Sequence, residues 1–325
     1  MRAAFLVATI AIAWFTSLSL CLAAGNGVVK RDTILDFLWR LLGGGGSSSS
    51  ASDTNGSSAP SSDGRVVKSS SDTPAVSQTI LDLYAAYSGA AYKVTDTWNC
   101  DVECQQPGTD GTEIKYHWDT PVVTSTGYVA HNPNTNVIVV AFRGSSEFGD
   151  WMQDFAISPT SWPSDISGSN VVSGFLSGYL VASPLVLQNV VELATQYPSC
   201  RIVATGHSLG GSRASLFVAD LTLRYPKLTP RVYLYTYGQA KCGNQVFSQY
   251  MDTLGVPIFR EVNRGDIAPH LPFENENPYV HFGTEAWVNL SNQTVFCKTG
   301  EYGHCSASLS PTAYNLADHS TYKGL

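Results

Sequence analysis

Charged residues are scarce in this 325-residue chain, at 14% against roughly 25% in an average soluble domain. Basic residues are the scarcer kind, since 19 Lys and Arg stand against 26 Asp and Glu, for a formal net charge of -7. A nucleic-acid-binding surface needs a basic stripe that displaces counterions, so the composition argues against that function class. The 43% of hydrophobic residues also argues against a disordered chain, because they supply ample material for a core.

Long apolar runs are lacking in the chain after the N-terminal segment. No later segment approaches the ~18 consecutive apolar residues of a membrane-spanning helix. At the N-terminus, Arg2 precedes an apolar run from Ala3 to Leu22 that ends in small residues. This order is typical of a secretory signal, with cleavage expected after Ala24. An uncleaved membrane anchor is the alternative. We therefore expect residues 1–24 to be a signal peptide and the protein to be secreted and extracellular.

The next segment combines a basic pair, an apolar helical pattern and a flexible linker. Lys30-Arg31 is a dibasic pair of the kind that processing proteases cut, or simply two solvated charges. Apolar side chains then recur at helical spacing, at Ile34, Leu35, Phe37, Leu38, Leu41 and Leu42. A Gly/Ser run from Gly43 to Ser50 begins the linker. We predict that residues 25–70 are a removable prosegment with its linker; a membrane-surface helix is the alternative.

From residue 71 onward, strand-like and helical patterns alternate. Strands are predicted over residues 137–142, 202–205, 232–237 and 257–262, and helices over 180–197, 209–225 and 246–254. A β–α–β–α–β rhythm implies a mostly parallel central sheet with helices on both faces. The sequence therefore predicts the α/β class, with residues 71–325 as a single domain.

Cysteine is sparse, with seven residues in the chain, and Cys21 would leave with the signal. The six that remain suit an oxidising compartment. Two close pairs, Cys100 with Cys104 and Cys297 with Cys305, are expected to form disulfides that close small loops. Cys200 opens one predicted strand and Cys242 lies beyond the end of the next. Those positions fall at opposite ends of parallel strands, so we do not expect them to pair.

The strongest chemical signal is Gly206-His207-Ser208-Leu209-Gly210-Gly211. It follows a predicted strand and opens a predicted helix, which is the setting that a nucleophile elbow requires. The sharp turn exposes a strained Ser208 and presses together the residues two positions before and after it, where glycine fits. The amide of Leu209, at the helix N-terminus, is a candidate oxyanion donor.

A nucleophilic serine needs a histidine base and a carboxylate that orients it, in the chain order Ser, Asp or Glu, His. Asp266 closely follows the strand that ends at Val262, at the sheet edge where catalytic groups collect. His319 lies beyond the last strand. We predict these two as the partners of Ser208, against the simpler interpretation of a capping Asp and a surface His.

A polar loop, Arg143-Gly144-Ser145-Ser146, follows the strand over residues 137–142. Ser145 is a candidate second oxyanion donor, although an ordinary strand-to-helix turn has the same pattern. The amphipathic stretch from Ser146 to Gln153 is a candidate mobile lid. Its apolar members, candidate substrate contacts, are Phe148, Trp151 and Met152.

Five segments resemble the secreted fungal class 3 triacylglycerol lipases of the Rhizomucor and Rhizopus type. In chain order they are AFRGSSEFGDW, GHSLGG, VNRGDIAPHLP, HFGTEAW and ADHSTY. The resemblance implies an α/β-hydrolase with a short helical lid, Ser208 as nucleophile, His319 as base and Asp266 as the orienting carboxylate. It further implies an oxyanion hole at Ser145 and Leu209, with Trp151 at the lid tip.

Three departures from the family pattern affect what the resemblance implies. Close relatives tie a Cys after the first helix to a C-terminal Cys, but here Lys93 stands at the first position and the chain ends without a Cys. The Leu residues that flank the Asp-His pair in the family are Ala317 and Ser320 here, and this smaller, more polar wall counts against long acyl chains. Lys241-Cys242 stands where the family has Arg-Val.

The expected function is hydrolysis of carboxylic esters through an acyl-enzyme, most specifically of triacylglycerol at a lipid–water interface. A feruloyl esterase or short-chain esterase of the same fold is the alternative within the enzyme class. A non-catalytic lipid-binding protein is the alternative outside it. We expect no metal or organic cofactor, no nucleic-acid partner, and a monomer.

Overall fold

The computed structural model describes residues 76–120, 123–145, 157–272, 279–298 and 305–325. The predicted signal peptide and prosegment lie outside the described residues. The predicted lid residues, Phe148, Trp151 and Met152, lie outside them as well. Everything below concerns the compact unit that ends at Leu325.

A mixed eight-stranded sheet forms the centre of this unit, in the order β1-β2-β3-β6-β7-β9-β11-β12. Its strands are β1 (Glu113–Thr120), β2 (Ser125–Asn132), β3 (Val137–Phe142), β6 (Arg201–His207), β7 (Val232–Tyr237), β9 (Ile258–Asn263), β11 (Thr284–Val288) and β12 (Thr294–Lys298). The run from β3 to β11 is parallel, and the outer pairings are antiparallel. The mostly parallel sheet predicted from the sequence is therefore confirmed.

A smaller sheet of four short strands lies apart from the central one, in the order β10-β8-β5-β4. Its members are β4 (Pro159–Ser161), β5 (Asn170–Val172), β8 (Gly243–Asn244) and β10 (Tyr279–Val280). β5 leads directly into the longest described helix, so this sheet is continuous with the helical layer.

Helices cover both faces of the central sheet, as predicted. They are α1 (Gln78–Ala90), α2 (Ser173–Gln196), α3 (Leu209–Arg224) and α4 (Gln245–Thr253). One apolar cluster packs α2, α3 and α4 against one face, and a second packs α1 against the other. The strands between them read as continuous apolar runs; all six residues of β3 are buried, as a sheet covered on both faces requires.

The helix predicted over 180–197 begins earlier, at Ser173. Its first turns contain Gly174 and Gly178, which have low helix propensity. They also interrupt the apolar periodicity, so the sequence pattern does not indicate a helix before residue 180. α2 is the one described helix long and apolar enough to cross a membrane by length and composition. Half of that window is buried inside the fold, so these residues serve as core.

Two disulfides join Cys100 to Cys104 and Cys297 to Cys305, as predicted. Cys200 and Cys242 are not paired with each other, as expected, and both are free and buried. Their burial explains why unpaired thiols are tolerated here, since a buried free Cys acts as a small apolar side chain.

Noncovalent contacts fasten the C-terminus to α1, where the family pattern has a disulfide. Lys323 near the C-terminus pairs with Asp82 on α1. Lys93, at the position where the family has its first Cys, pairs instead with Glu103 at 2.8 Å. A Cβ on Gly89 would lie only 2.9 Å from the carbonyl oxygen of Gly324. The two chain segments thus pack closely enough that glycine is required between them.

Candidate active site

Ser208 occupies the sharp turn between β6 and α3. Its backbone has φ 58° and ψ -129°, in the left-handed region that non-glycine residues rarely adopt. The Ser208 amide donates to the carbonyl oxygen of Tyr237 on the neighbouring strand at 2.8 Å. Strain of this kind persists only where the surroundings impose it, and it is concentrated at functional sites.

The glycines on either side of the turn leave no space for a larger side chain. A Cβ on Gly206 would lie 2.3 Å from the carbonyl carbon of Gly210. A Cβ on Gly210 would lie 2.0 Å from the carbonyl oxygen of Phe142, at the end of β3. Both contacts are with backbone, which cannot move aside, so the predicted crowding of the elbow is present.

His319 and Asp266, which lie 53 residues apart in the chain, are paired in the fold. His319 Nδ1 lies 3.0 Å from Asp266 Oδ1 and 2.9 Å from Oδ2. Asp266 is fully buried and His319 is 3% exposed, so water does not compete for this contact. Gly238 leaves room beside the pair, because a Cβ there would lie 2.7 Å from Asp266 Oδ2 and 3.0 Å from His319 Nδ1.

Two further donors hold the Asp266 carboxylate. The amide of Ala268 donates to Oδ1 at 2.8 Å, and the hydroxyl of Tyr322 donates to Oδ2 at 2.5 Å. Burial, together with the negative charge of Asp266, raises the pKa of Tyr322 well above its ordinary value, so the hydroxyl keeps its proton and remains a donor. Charge-assisted bonds of this kind are the stronger ones.

The other histidines after Ser208 in the described chain have different surroundings. His281 Nε2 donates to the carbonyl oxygen of Pro269 at 2.7 Å. His270 stacks on Tyr314 with ring centroids 4.1 Å apart. Burial, assisted by nearby cationic side chains, lowers the pKa of His270 to about 3. Neither histidine is placed to accept a proton near the elbow at neutral pH.

A chain of contacts and hydrogen bonds runs from the loop after β3 to the C-terminal segment. The Tyr92 hydroxyl packs against Gly144, where a Cβ would lie 2.3 Å from it, and it lies 2.9 Å from His207 Nδ1. His207 Nε2 donates to the carbonyl oxygen of His319 at 2.8 Å, so Nδ1 is the acceptor in the neutral ring. Burial, followed by the charge of His319, lowers the pKa of His207 to about 3 and keeps this ring neutral.

The two predicted oxyanion donors come from different segments, the start of α3 and the loop after β3. Leu209 is the first residue of α3, where a backbone amide has no partner within the helix. Ser145 is half-buried and follows Gly144. A Cβ on Gly144 would lie 3.1 Å from the Ser208 Cβ, so this loop abuts the elbow directly.

Sequence reasoning passed over three residues of this arrangement: Tyr92, His207 and Tyr322. In the sequence His207 appears only as part of the elbow motif, and Tyr322 only as the last residue of ADHSTY. The spacing of Tyr322, three residues after His319, is a usable signal once the histidine is identified. Tyr92 carries no such signal, because it lies 115 residues before its partner. Among the described residues, no group of three or more His, Cys, Asp or Glu side chains is arranged to hold a metal ion.

Comparison with known proteins agrees with this geometry. The family model described as lipase (class 3) matches residues 139–276, from β3 through the turn that holds Asp266. A lipase from Rhizomucor miehei is 35% identical over 261 residues, which cover 77% of this chain and 70% of the relative.

Two solved structures extend the likeness to the fold. A triacylglycerol lipase whose catalytic centre is described as a serine protease triad has a TM-score of 0.71 and 35% identity, over 77% of this chain and 96% of that one. The native propeptide complex of Rhizomucor miehei lipase has a TM-score of 0.70 and 35% identity, over 77% of this chain and 82% of that one. On these matches and the architecture above, the chain belongs to the class 3 lipase family and has the α/β-hydrolase fold.

Proposed function

We propose that this protein hydrolyses carboxylic esters with Ser208 as nucleophile, His319 as general base and Asp266 as the carboxylate that orients the base. One observation carries the assignment. His319 is paired with the buried Asp266, and its carbonyl oxygen is bonded to His207, the residue that directly precedes Ser208. The order Ser, Asp, His along the chain is that of α/β-hydrolases. The related triacylglycerol lipase with a serine protease triad supports the same assignment.

The reaction proceeds through an acyl-enzyme. Ser208 Oγ attacks the ester carbonyl while the imidazole of His319 takes the hydroxyl proton. Because Asp266 accepts from Nδ1, the ring keeps its proton on that nitrogen and offers Nε2 as the base. His319 then gives the proton to the departing alcohol. Water repeats the sequence on the acyl-enzyme, and the carboxylic acid is released.

The negative charge on the carbonyl oxygen is met by Ser145 and by the amide of Leu209. Donors that are already positioned stabilise this charge at no cost in reorganisation, which makes them a large contributor to the rate. Tyr92, packed against Gly144 and bonded to His207, holds the Ser145 loop in register with the elbow. Tyr92 therefore acts as a positioning residue in this scheme.

The substrate that we favour is a glycerol ester presented at a lipid–water interface, with triacylglycerol as the most specific case. The family membership of the chain supports this choice. A second candidate, a feruloyl or short-chain ester, is favoured by the wall beside the base, where Ala317 and Ser320 are both exposed. Small and polar side chains there offer little apolar area to a long acyl chain.

We further propose that the protein is secreted as a monomer, with residues 1–24 as signal and residues 25–70 as a removable prosegment. Two disulfides suit an oxidising compartment. The propeptide complex of Rhizomucor miehei lipase supports a prosegment in this family. Deletion of residues 26–60 is expected to impair folding or secretion; a normal yield of active enzyme would contradict a folding role.

Replacement of Ser208 by Ala tests the catalytic proposal. Hydrolysis of soluble p-nitrophenyl butyrate and of emulsified tributyrin should fall to background together, while the folded state is retained. The matched control is Ser199→Ala, at an exposed serine whose hydroxyl donates to Asn136 Oδ1 at 3.3 Å, and it should keep full activity. Retained turnover in Ser208→Ala would overturn the assignment and favour the non-catalytic alternative.

The substrate class is tested by comparing tributyrin, triolein and methyl ferulate. A lipase should hydrolyse both triglycerides and gain activity once the substrate concentration exceeds its solubility and an interface forms. A preference for methyl ferulate, with no gain at an interface, would overturn the lipase assignment and leave the ester hydrolase assignment intact.

A further inference from the structure

Arg213 is a buried cation outside the proposed catalytic machinery. It lies in the second turn of α3, five residues after Ser208, and is only 4% exposed. Its Nε is fully enclosed and has no hydrogen-bond partner. Within the part of the chain that the structure describes, no carboxylate and no carbonyl oxygen accepts from this guanidinium.

A second arginine lies within electrostatic range of it. Arg143 follows β3, directly before the Gly144–Ser145 loop, and its Nε is likewise enclosed without a partner among the described residues. Burial, followed by the charge of Arg143, lowers the pKa of Arg213 to about 10. That value is still far above neutral pH, so the Arg213 guanidinium is cationic in the folded protein.

The fold makes room for the Arg213 head group. A Cβ on Gly178, in the facing helix α2, would lie 2.1 Å from Arg213 Nη2 and 2.5 Å from Cζ. The guanidinium thus lies flat against the α2 backbone. Arg231 shows the contrast, because it donates to the carbonyl oxygens of Ala194, Tyr197 and Cys200.

A desolvated guanidinium without acceptors is strongly unfavourable, and proteins normally give it a counter-charge. Its fork of N–H donors matches the two oxygens of a carboxylate. We propose that Arg213, with Arg143 beside it, forms an anion-binding site between α2, α3 and the end of β3, and that its ligand is a small carboxylate. The carboxylate has two possible sources, the acid released by ester hydrolysis or a carboxylate already present in solution.

The first test is thermal unfolding of the full chain at pH 8 with increasing butyrate, octanoate or chloride. An anion that binds only the folded state raises the unfolding midpoint, and at ten times its dissociation constant we expect a rise of about 3 °C. Arg213→Met should lose this rise. Arg201→Met, which removes an exposed arginine at the start of β6, should keep it and thereby account for general effects of salt.

The anion-free midpoint gives an independent readout. Because Arg213→Met removes a buried charge without a counter-charge, its midpoint in low salt should equal or exceed that of the wild type. A lower midpoint together with unchanged dependence on butyrate would overturn the proposal. Hydrolysis of a neutral soluble ester should change less than twofold in this variant, which separates the anion site from the proposed catalytic residues.

Calorimetric titration of butyrate into the wild-type protein keeps the proposal testable if the variant fails to fold. Binding of one butyrate per chain is expected, and the absence of binding would overturn the site. If octanoate saturates the site at a lower concentration than butyrate does, the acid released by hydrolysis is indicated as the source. If both saturate it at the same concentration, carboxylates already in solution are indicated. Chloride that binds as tightly as either acid would overturn the assignment to carboxylate.

Discussion

The hydroxyl of Tyr322 donates to Asp266 Oδ2 at 2.5 Å, and the same hydroxyl accepts from the Asn263 amide at 3.1 Å. The C-terminal segment therefore delivers two groups to the site, the ring of His319 and the hydroxyl that fixes the carboxylate facing it. Because Tyr322 is fully enclosed in the α1 cluster, the packing of the chain end is coupled to the geometry of the His–Asp pair.

Replacement of Tyr322 by Phe removes one donor from a buried carboxylate. The free energy of unfolding should fall by roughly 1–3 kcal/mol, the usual range for a bond to a charged group. Without this donor, the negative charge of Asp266 stabilises the protonated imidazole of His319 more strongly. The acidic limb of the pH profile of kcat/KM should therefore move to higher pH. Urea unfolding and a pH–rate profile measure both effects. Tyr314→Phe, which removes a hydroxyl bonded to Ser306, is the control; an unchanged profile in Tyr322→Phe would contradict the coupling.

Replacement of Tyr92 by Phe breaks the chain between the Gly144 loop and His207. We expect kcat to fall roughly tenfold with little change in KM, because the oxyanion donors are still present but are held less accurately in position. Ser145→Ala, which removes a proposed donor outright, should reduce kcat by about 10² to 10³. Steady-state kinetics on a soluble ester distinguish the two. A KM effect without a kcat effect in Tyr92→Phe would argue for a role in substrate binding instead.

Replacement of Gly206 by Ala places a Cβ 2.3 Å from the backbone of Gly210. Since backbone has to move to relieve this contact, we expect a loss of about 3 kcal/mol or more in unfolding free energy, and loss of activity. Gly255→Ala is the comparison, because that glycine has φ +70° but nothing within 4 Å of an added Cβ. It should lose only about 1 kcal/mol. A loss in Gly206→Ala no larger than that in Gly255→Ala, measured by urea unfolding, would contradict the steric role of Gly206.

Glu261 gives the fold a defined dependence on pH. Burial raises the pKa of Glu261 from 4.5 to about 7, partly offset by the bond from Gln78 and reinforced by Asp82. The folded state therefore binds this proton more tightly than the unfolded state, and stability should fall as the pH rises from about 4.5 to about 7. A shift of this size corresponds to roughly 3 kcal/mol.

Glu261→Gln should flatten the fall in stability across that window, as measured by urea unfolding at several pH values. Glu192→Gln, which replaces an exposed glutamate on α2 bonded to Gln188, should leave the fall unchanged. An identical pH dependence in the wild type and in Glu261→Gln would contradict the assignment of the proton to Glu261.

The two free thiols should be silent in the native protein. Burial raises the pKa of both, that of Cys242 to about 12, and the thiolate is the form that reacts. Iodoacetamide at pH 8 should leave Cys200 and Cys242 unlabelled before unfolding and label both after it, without reduction. Mass spectrometry provides the count. Rapid labelling of the native protein would show that these residues become accessible.

Much of the architecture follows from the sequence alone. The strands over 137–142 and 232–237 begin and end where the pattern predicts, because a strand buried on both faces must be continuously apolar. α2 was predicted seven residues short, since Gly174 and Gly178 interrupt the pattern that marks a helix. Gly178 serves the packing of Arg213, which no local pattern encodes.

What the sequence determined by itself is the elbow at Ser208, the α/β order, the two local disulfides and the candidate pair Asp266 and His319. Each of these depends on short-range chemistry: a turn that demands glycine, the period of an apolar face, or a motif in a fixed order. Tertiary structure alone decided that Tyr322 and Tyr92 bond into the site and that Arg213 lies buried beside Arg143. Those relationships join residues far apart in the chain, and only the closed sheet and its packed helices bring them within hydrogen-bonding or electrostatic range.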